Sequence, residues 1–371
     1  MKYSVIDISS NSLSYIVAEA ENGSLKTLLK DRTSLSMPYY MSRGKLTARG
    51  KDKLTDVLGK MKTTCSEAGA DKCYVIATAA LRNIDNFAEA AEEILAKTGL
   101  TVNLVDGETE AYCDYEANAG RFGDKAVLVD LGGKSTEICA LDGKSGFYCL
   151  DTGLIDLRRR FVGKIQPTEK EAKKMGRYFR KCLDDACVPK EGVFDTVVLV
   201  GATDNAVAEI YFDSFDGAPI ERKKFSELVR RLITGADRSE LILKTAPEKV
   251  HLIIPAAIAL KKLFKRFGAE RIVTSDVGVK EGYLMLALRG GITGSAFDFA
   301  QGKSVGDPRS VGGKPAGRRG RPRKNAGAAT GISGRKTKKK KISDKDPHSE
   351  TIAESGVAET DNDEKSARDQ S

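Results

Sequence analysis

Histidine is almost missing from this 371-residue chain: only His251 and His348 occur. Two imidazoles are too few for a zinc site of the usual nitrogen and sulfur donors. The seven cysteines (65, 73, 113, 139, 149, 182 and 187) are odd in number and include no C-x-x-C pair. Most stand in apolar or helical contexts, where a buried free thiol is ordinary. No apolar run reaches transmembrane length, and the acid at Asp7 comes too early for a secretory leader. These absences exclude a membrane partner and make a reducing cytoplasm the expected compartment. Large apolar side chains also nearly vanish from Gly302 onward.

Charge divides the chain at the same place. The formal net charge is +9, and residues 301–371 hold 17 Lys/Arg against 10 Asp/Glu, so +7 of it lies there. The preceding 300 or so residues mix apolar, glycine and charged side chains as a globular protein does. That length exceeds what one hydrophobic core usually holds, so two domains are expected. We place them at 1–118 and 119–298, followed by a disordered tail at 299–371.

What is present is a pattern written twice, 123 residues apart. Val5-Ile6-Asp7-Ile8-Ser9-Ser10-Asn11-Ser12 and Leu128-Val129-Asp130-Leu131-Gly132-Gly133-Lys134-Ser135 both run apolar, apolar, Asp, apolar, small, small, any, Ser. An apolar run closing on Asp reads as a buried strand whose carboxylate emerges at its end. The small residues after it form a tight turn whose N–H groups and hydroxyls can surround a phosphate. Each Asp could equally cap its own turn; the repetition favours a phosphate or metal role.

The periodicities around the two loops repeat as well. Strands at about 3–8, 13–19 and 25–30 precede a helix at 48–67, a strand at 73–77 and a helix ending at Gly99. A strand at 102–105 and a helix at 108–118 complete the first half. Strands at 126–130, 136–142 and 146–150 restart the order, with helices near 154–162 and 168–186 and a strand at 196–200. Helices near 204–210, 223–234, 237–244 and 253–266, a strand at 271–274 and a helix at 280–288 follow. Together these predict a duplicated α/β fold with a phosphate cleft between its halves.

Six segments now stand in order: DISSNSLS (7–14), ATAALR (77–82), GETEA (107–111), DLGGKSTE (130–137), GAT (201–203) and SDVGVKEG (275–282). They resemble the motifs of the exopolyphosphatase/guanosine pentaphosphate phosphohydrolase family, within the actin-like, sugar-kinase and Hsp70-type ATPase superfamily. The resemblance covers about residues 3–290 and implies a duplicated actin-like (ribonuclease H-like) fold. It implies removal of a terminal phosphate from inorganic polyphosphate or guanosine pentaphosphate, with Mg²⁺ as cofactor. By the same resemblance Glu110 activates water, while Asp7, Asp130 and Glu137 organise the metal. Phosphate binding falls to Ser10, Asn11, Ser12, Arg82, Gly132, Gly133, Lys134, Ser135, Gly201 and Thr203. This chain departs from the family at Ser9, Ser14, Lys134, Ala202 and His251. Lys134 either replaces the basic residue missing at Ser14 or obstructs the pocket.

Blander readings exist for several of these residues. Glu108 and Glu110 suit any helix N-terminus, Arg82 could be a surface residue, and 201–203 could be a plain strand–helix turn. Lys280 and Glu281 read as surface partners on the last helix. A competing class is a catalytically attenuated binding protein that uses its tail on nucleic acid; an ATP-dependent kinase is a third. The tail itself has 14 basic residues and one acid over 303–341, then nine acids and three bases over 342–371. Arg319-Gly320-Arg321-Pro322 resembles an AT-hook, which lies in the narrow minor groove of A·T-rich DNA. Its expected partner is such DNA or another polyanion, and a homodimer is a further expectation.

Overall fold

The computed structural model describes residues 1–21, 24–142 and 146–306. The first sheet begins as an antiparallel meander, β1 (Lys2–Ile8), β2 (Ser12–Glu21) and β3 (Ser24–Ser34). A small hairpin, β4 (Met41–Ser42) and β5 (Lys45–Leu46), leads into the helix Ala48–Glu67. Thr47 caps that helix by accepting from the Gly50 amide, and Leu54, Val57, Leu58, Met61 and Cys65 face the core, as the periodicity predicted. Strand β6 (Lys72–Ala77) then pairs parallel to β1. The next helix, Phe87–Thr98, ends at Gly99, whose φ of 73° supplies the left-handed cap. Strand β7 (Val102–Leu104) adds parallel to β6.

The second half repeats this plan. An antiparallel meander, β8 (Ala126–Leu131), β9 (Thr136–Ala140) and β10 (Phe147–Leu150), is followed by the parallel strands β11 (Thr196–Val200) and β12 (Arg271–Thr274). The order across the sheet is β10-β9-β8-β11-β12, which matches β3-β2-β1-β6-β7 strand for strand. This is the duplicated ribonuclease H-like plan of the actin-like ATPases. In both sheets the central strand carries its Asp to the carboxyl end, where open α/β sheets bind their ligands.

The chain does not keep its last residues with the second sheet. After β12 the helix Val279–Leu288 returns to the first half, where Tyr283, Leu284 and Leu286 pack with Val5, Ile16 and Ile76. Strand β13 (Ala296–Asp298) pairs antiparallel with β6, and β14 (Lys303–Val305) lies outside it. The segment 119–298 therefore spans both sheets, and ordered chain continues past 299. Three-residue strands have too little alternation to be read from sequence. What holds them is tertiary: Phe297 enters the first core, and buried Asn103 bonds both the amide and the carbonyl of Ser295 at 2.7 and 2.8 Å.

Helix Gly107–Asn118 sits between the halves. On one side Tyr112 and Tyr115 meet the Phe147 ring, with centroids 5.9 and 5.8 Å away. On another the helix touches Val279–Leu288 so closely that a Cβ on Gly282 would lie 1.8 Å from the Cys113 carbonyl oxygen. No described helix is long and apolar enough to cross a membrane.

Candidate active site

Strand register brings the acids together. Asp130 is directly opposite Glu137 in the β8–β9 pair, and Asp7 is opposite Ser14 in the equivalent β1–β2 pair. Directly opposed side chains share one face of a sheet, so Glu137 lies beside Asp130. A cleft of about 450 Å³ opens there, lined by Asp7, Ser10, Asn11, Ser12, Glu110, Asp130, Gly132, Gly133, Ser135, Gly201 and Thr203 among others. Eleven of the fourteen site residues expected in the folded region thus share one cavity.

Both loops turn their carbonyls away from it. The Ser10 and Asn11 carbonyls accept from Met37 and Leu35 at 3.0 and 3.1 Å; those of Gly132 and Gly133 accept from Leu154 and Ile155 at 2.9 and 2.8 Å. In a trans peptide the N–H points opposite the carbonyl, so each loop turns amides the other way. Ser9, which departs from glycine, closes its own turn by donating to the Ser12 carbonyl at 2.8 Å. Gly153 is needed for the second loop: its Cβ would stand 2.3 Å from the Lys134 nitrogen. Gly201 has φ of 90°, and a Cβ there would meet the Asp130 carboxylate at 2.5 Å. Helix Ala202–Ser214 begins directly after it, aiming the positive end of its dipole at the cleft.

Glu110 is buried in the first turn of its helix, while Glu108 is exposed, as a plain N-terminal acid would be. The Glu110 Oε2 accepts from Arg82 Nη2 at 2.5 Å, and Arg82 Nε donates to the Val105 carbonyl at 3.1 Å. Arg82 is therefore no loose surface residue; it orients the carboxylate. Burial, then the nearby Glu137 charge, pushes the Glu110 carboxyl well above its ordinary range, against the pull of Arg82. Glu137 is 1% exposed and raised to about 8 by burial and Asp130. Asp7 and Asp130 are each raised by burial to about 6, with Lys280 opposing.

The three exceptions are Glu137, Arg82 and Lys134. Glu137 stands behind Asp130 and accepts from Cys149 Sγ at 3.5 Å. Arg82 and Lys134 line a neighbouring cavity of about 500 Å³ that shares Ser10, Ala79 and Ser135 with the first. Lys134 Nζ pairs with Asp156 at 2.7 Å instead of approaching Ser14. Two cations stand at Ser14: Lys280, whose Nζ donates to Ser14 Oγ at 3.0 Å, and Arg32, which is opposite Ser14 in the β2–β3 pair and is held by Glu248 at 2.6 Å. Lys280 and Glu281 are thus cleft residues and not the surface pair read from sequence. Glu281 is buried, accepts from the Gly278 amide at 3.0 Å and faces Lys30 at 3.4 Å. The AT-hook-like residues Arg319, Gly320, Arg321 and Pro322 lie outside the described residues.

Sequence reading passed over Asp114, Asp204 and Lys249. Asp114 lies one turn beyond Glu110, is fully buried, and has both carboxylate oxygens without a partner. Its i,i+4 spacing from Glu110 was the available signal. Asp204 accepts from the Leu131 amide at 3.0 Å and so ties the third loop to the second. Lys249 is 5% exposed at the cleft wall and pairs with Glu248 at 3.0 Å.

Clustered buried carboxylates call for a cation. Among the described residues no group of three or more acidic, His or Cys side chains is placed to hold a metal ion. Magnesium needs only one or two carboxylates, with substrate oxygens and water completing its shell. Asp7 Oδ1 and Glu137 Oε2, buried and without partners, fit that demand. A pH dependence follows. Raised carboxyl pKa values mean that the folded state holds protons the unfolded chain has released, so stability falls as pH rises from about 4 to about 8. In chelator, the thermal midpoint should drop across this window, and added Mg²⁺ should flatten the decline. A midpoint indifferent to both would show that these acids are not electrostatically strained.

A family model described as the Ppx/GppA phosphatase family matches residues 16–289. Exopolyphosphatase 1 of Mycobacterium tuberculosis is 24% identical over 336 residues, covering 86% of this chain and 97% of that protein. A guanosine-5'-triphosphate,3'-diphosphate pyrophosphatase of Photobacterium profundum is 25% identical over 76% of this chain, which spans 58% of that protein. The crystal structure of the Aquifex aeolicus member of the Ppx/GppA family superposes with a TM-score of 0.66 at 23% identity, covering 78% of this chain and 98% of that one. The duplicated sheets, the paired Asp loops and the match over most of the folded chain agree: this protein belongs to the Ppx/GppA phosphatase family.

Proposed function

We propose that this protein hydrolyses a phosphoanhydride, releasing the terminal phosphate of inorganic polyphosphate or of guanosine pentaphosphate. The observation that carries this reading is the placement of buried Glu110, held by Arg82, in the same cleft as two Asp-loops. Phosphoryl transfer asks mainly for positioning and charge stabilisation. The loop amides, the Ser10, Ser12, Ser135 and Thr203 hydroxyls and the 202–214 helix terminus suit phosphate oxygens. Glu110 orients the attacking water and takes its proton, and burial raises the proton affinity of its carboxylate. Lys280 adds positive charge at the first loop, beside Ser14. One or two of Asp7, Asp130 and Glu137 would hold Mg²⁺, with substrate oxygens and water completing its shell and its charge neutralising the phosphates.

Lys134 argues against the attenuated-enzyme reading. Its side chain leaves the cleft for Asp156, so it does not block the substrate. Lys134→Gly should therefore not raise turnover; it should weaken substrate binding a few-fold through the lost charge near Ser135. A rise in kcat would restore the view of Lys134 as an obstruction. The reading as a whole is tested by phosphate release from both substrates, with and without Mg²⁺. For the basic segment at 303–341 we propose polyanion binding, A·T-rich DNA included. Its signature is affinity that falls steeply with salt.

A further inference from the structure

The mechanism leaves one strongly charged feature unused. Helix Glu169–Asp185 presents exposed Lys170, Lys173, Lys174 and Arg177 on one side, and Lys262 reaches across from helix Ile253–Phe267. The contact is close: a Cβ on Gly176 would sit 2.6 Å from Lys262 Cε. Together they line a groove of about 720 Å³. Its one acid, Glu169, is engaged with Lys173 at 2.6 Å. Among the described residues, Lys170, Lys174, Arg177 and Lys262 form no ion pair. Burial, with Arg180, Lys261 and Lys265 crowding it, holds the Lys262 ammonium below its usual pKa. Glu169 on Lys173 and Glu171 near Lys174 are too few to balance five cations, so the like charges repel one another unless a polyanion covers them.

Helix Leu154–Phe161 places one further cation toward each region. Arg159 lines the cavity that also contains Arg82 and Lys134. The adjacent Arg160 stacks over Tyr178, 4.3 Å from its ring centroid, and Tyr178 lies one helical turn past Lys174. We propose that the Lys170–Lys174–Arg177–Lys262 groove is a second substrate-binding site, which holds internal phosphates of a long polyphosphate chain while its end occupies the cleft. This rests on the phosphohydrolase reading above. The cations at positions 170, 174 and 177 recur about every helical turn, which suits a thin string of charges. The groove lining has no aromatic ring on which a base could stack, as single-stranded nucleic-acid sites have.

The test compares the full-length parent with the Lys170→Gln/Lys174→Gln/Arg177→Gln triple variant. All three positions are exposed and glutamine is a good helix former, so folding is preserved. The 303–341 segment is the same in both proteins, so its contribution cancels. KM and kcat are measured on long-chain polyphosphate and on tripolyphosphate, and long-chain binding is measured separately in chelator. Expected are a roughly tenfold weaker long-chain KM and Kd, unchanged kcat, and unchanged tripolyphosphate kinetics. The slope of log Kd against log salt should fall by about two for three lost contacts. Unaltered long-chain binding and slope would overturn the site, and so would an equal loss on both substrates, which marks general steering. A parent preference for duplex DNA over polyphosphate, lost in the variant, would reassign the groove and also overturn it. The binding arm stands even without turnover, whereas a parent inactive on every substrate would sink the phosphohydrolase reading alone.

Discussion

Replacing Glu110 with glutamine should lower phosphate release by roughly 10²–10⁴-fold while substrate continues to bind. The substitution keeps the side-chain shape and one oxygen for Arg82, whose Nη2 now donates to Oε2. It removes the one property that water activation requires, a basic carboxylate. Stability should not suffer, because the wild-type carboxyl is buried beside Glu137 and electrostatically strained. The thermal midpoint of the variant should therefore equal or exceed that of the parent. Measuring kcat, Kd and the midpoint together separates the chemical role from a structural one. Unchanged turnover would take Glu110 out of the mechanism.

A second large effect is expected at a helix crossing, at a glycine that does not line the cleft. Gly282→Ala would put a methyl group 1.8 Å from the Cys113 carbonyl oxygen, a contact that backbone must move to relieve. The two helices at this crossing carry Glu110 and Lys280, so separating them pulls the proposed base and the Ser14-bound cation apart. Overpacking of this kind costs about 1–3 kcal/mol, and a shift of about 1 Å at reacting groups costs on the order of 10²-fold in rate. Both kcat/KM and the thermal midpoint should fall. Gly59→Ala is the control: it lies within helix Ala48–Glu67 with nothing near its Cβ position, so it should be neutral or stabilising by about 0.5–1 kcal/mol. Full activity in the Gly282 variant would show that the helix contact does not set the site geometry.

The repeat at Asp7 and Asp130, with the order of strands and helices around it, was legible because local forces write it. Alternation, apolar stripes and a left-handed Gly99 act over a few residues and survive in sequence. Glu137's place beside Asp130 was legible too, since a tight turn returns the chain seven residues later in antiparallel register. Helix Gly107–Asn118 offered less, because burial against both halves leaves it no single apolar face.

Other features depend on chain segments far apart in sequence. Lys280 reaches Ser14 across 266 residues, and Asp298 ends a strand paired to Lys72. The direction of Lys134 was decided by Asp156, 22 residues on, and no local rule chooses that partner over a phosphate. The sequence alone determined the repeated strand–loop units and the identity of their acids, because strand and turn preferences are local. Only tertiary packing decided which cation faces the first loop, how Arg82 holds Glu110, and that the last helix closes back on the first sheet, because those contacts exist only once distant segments are buried together.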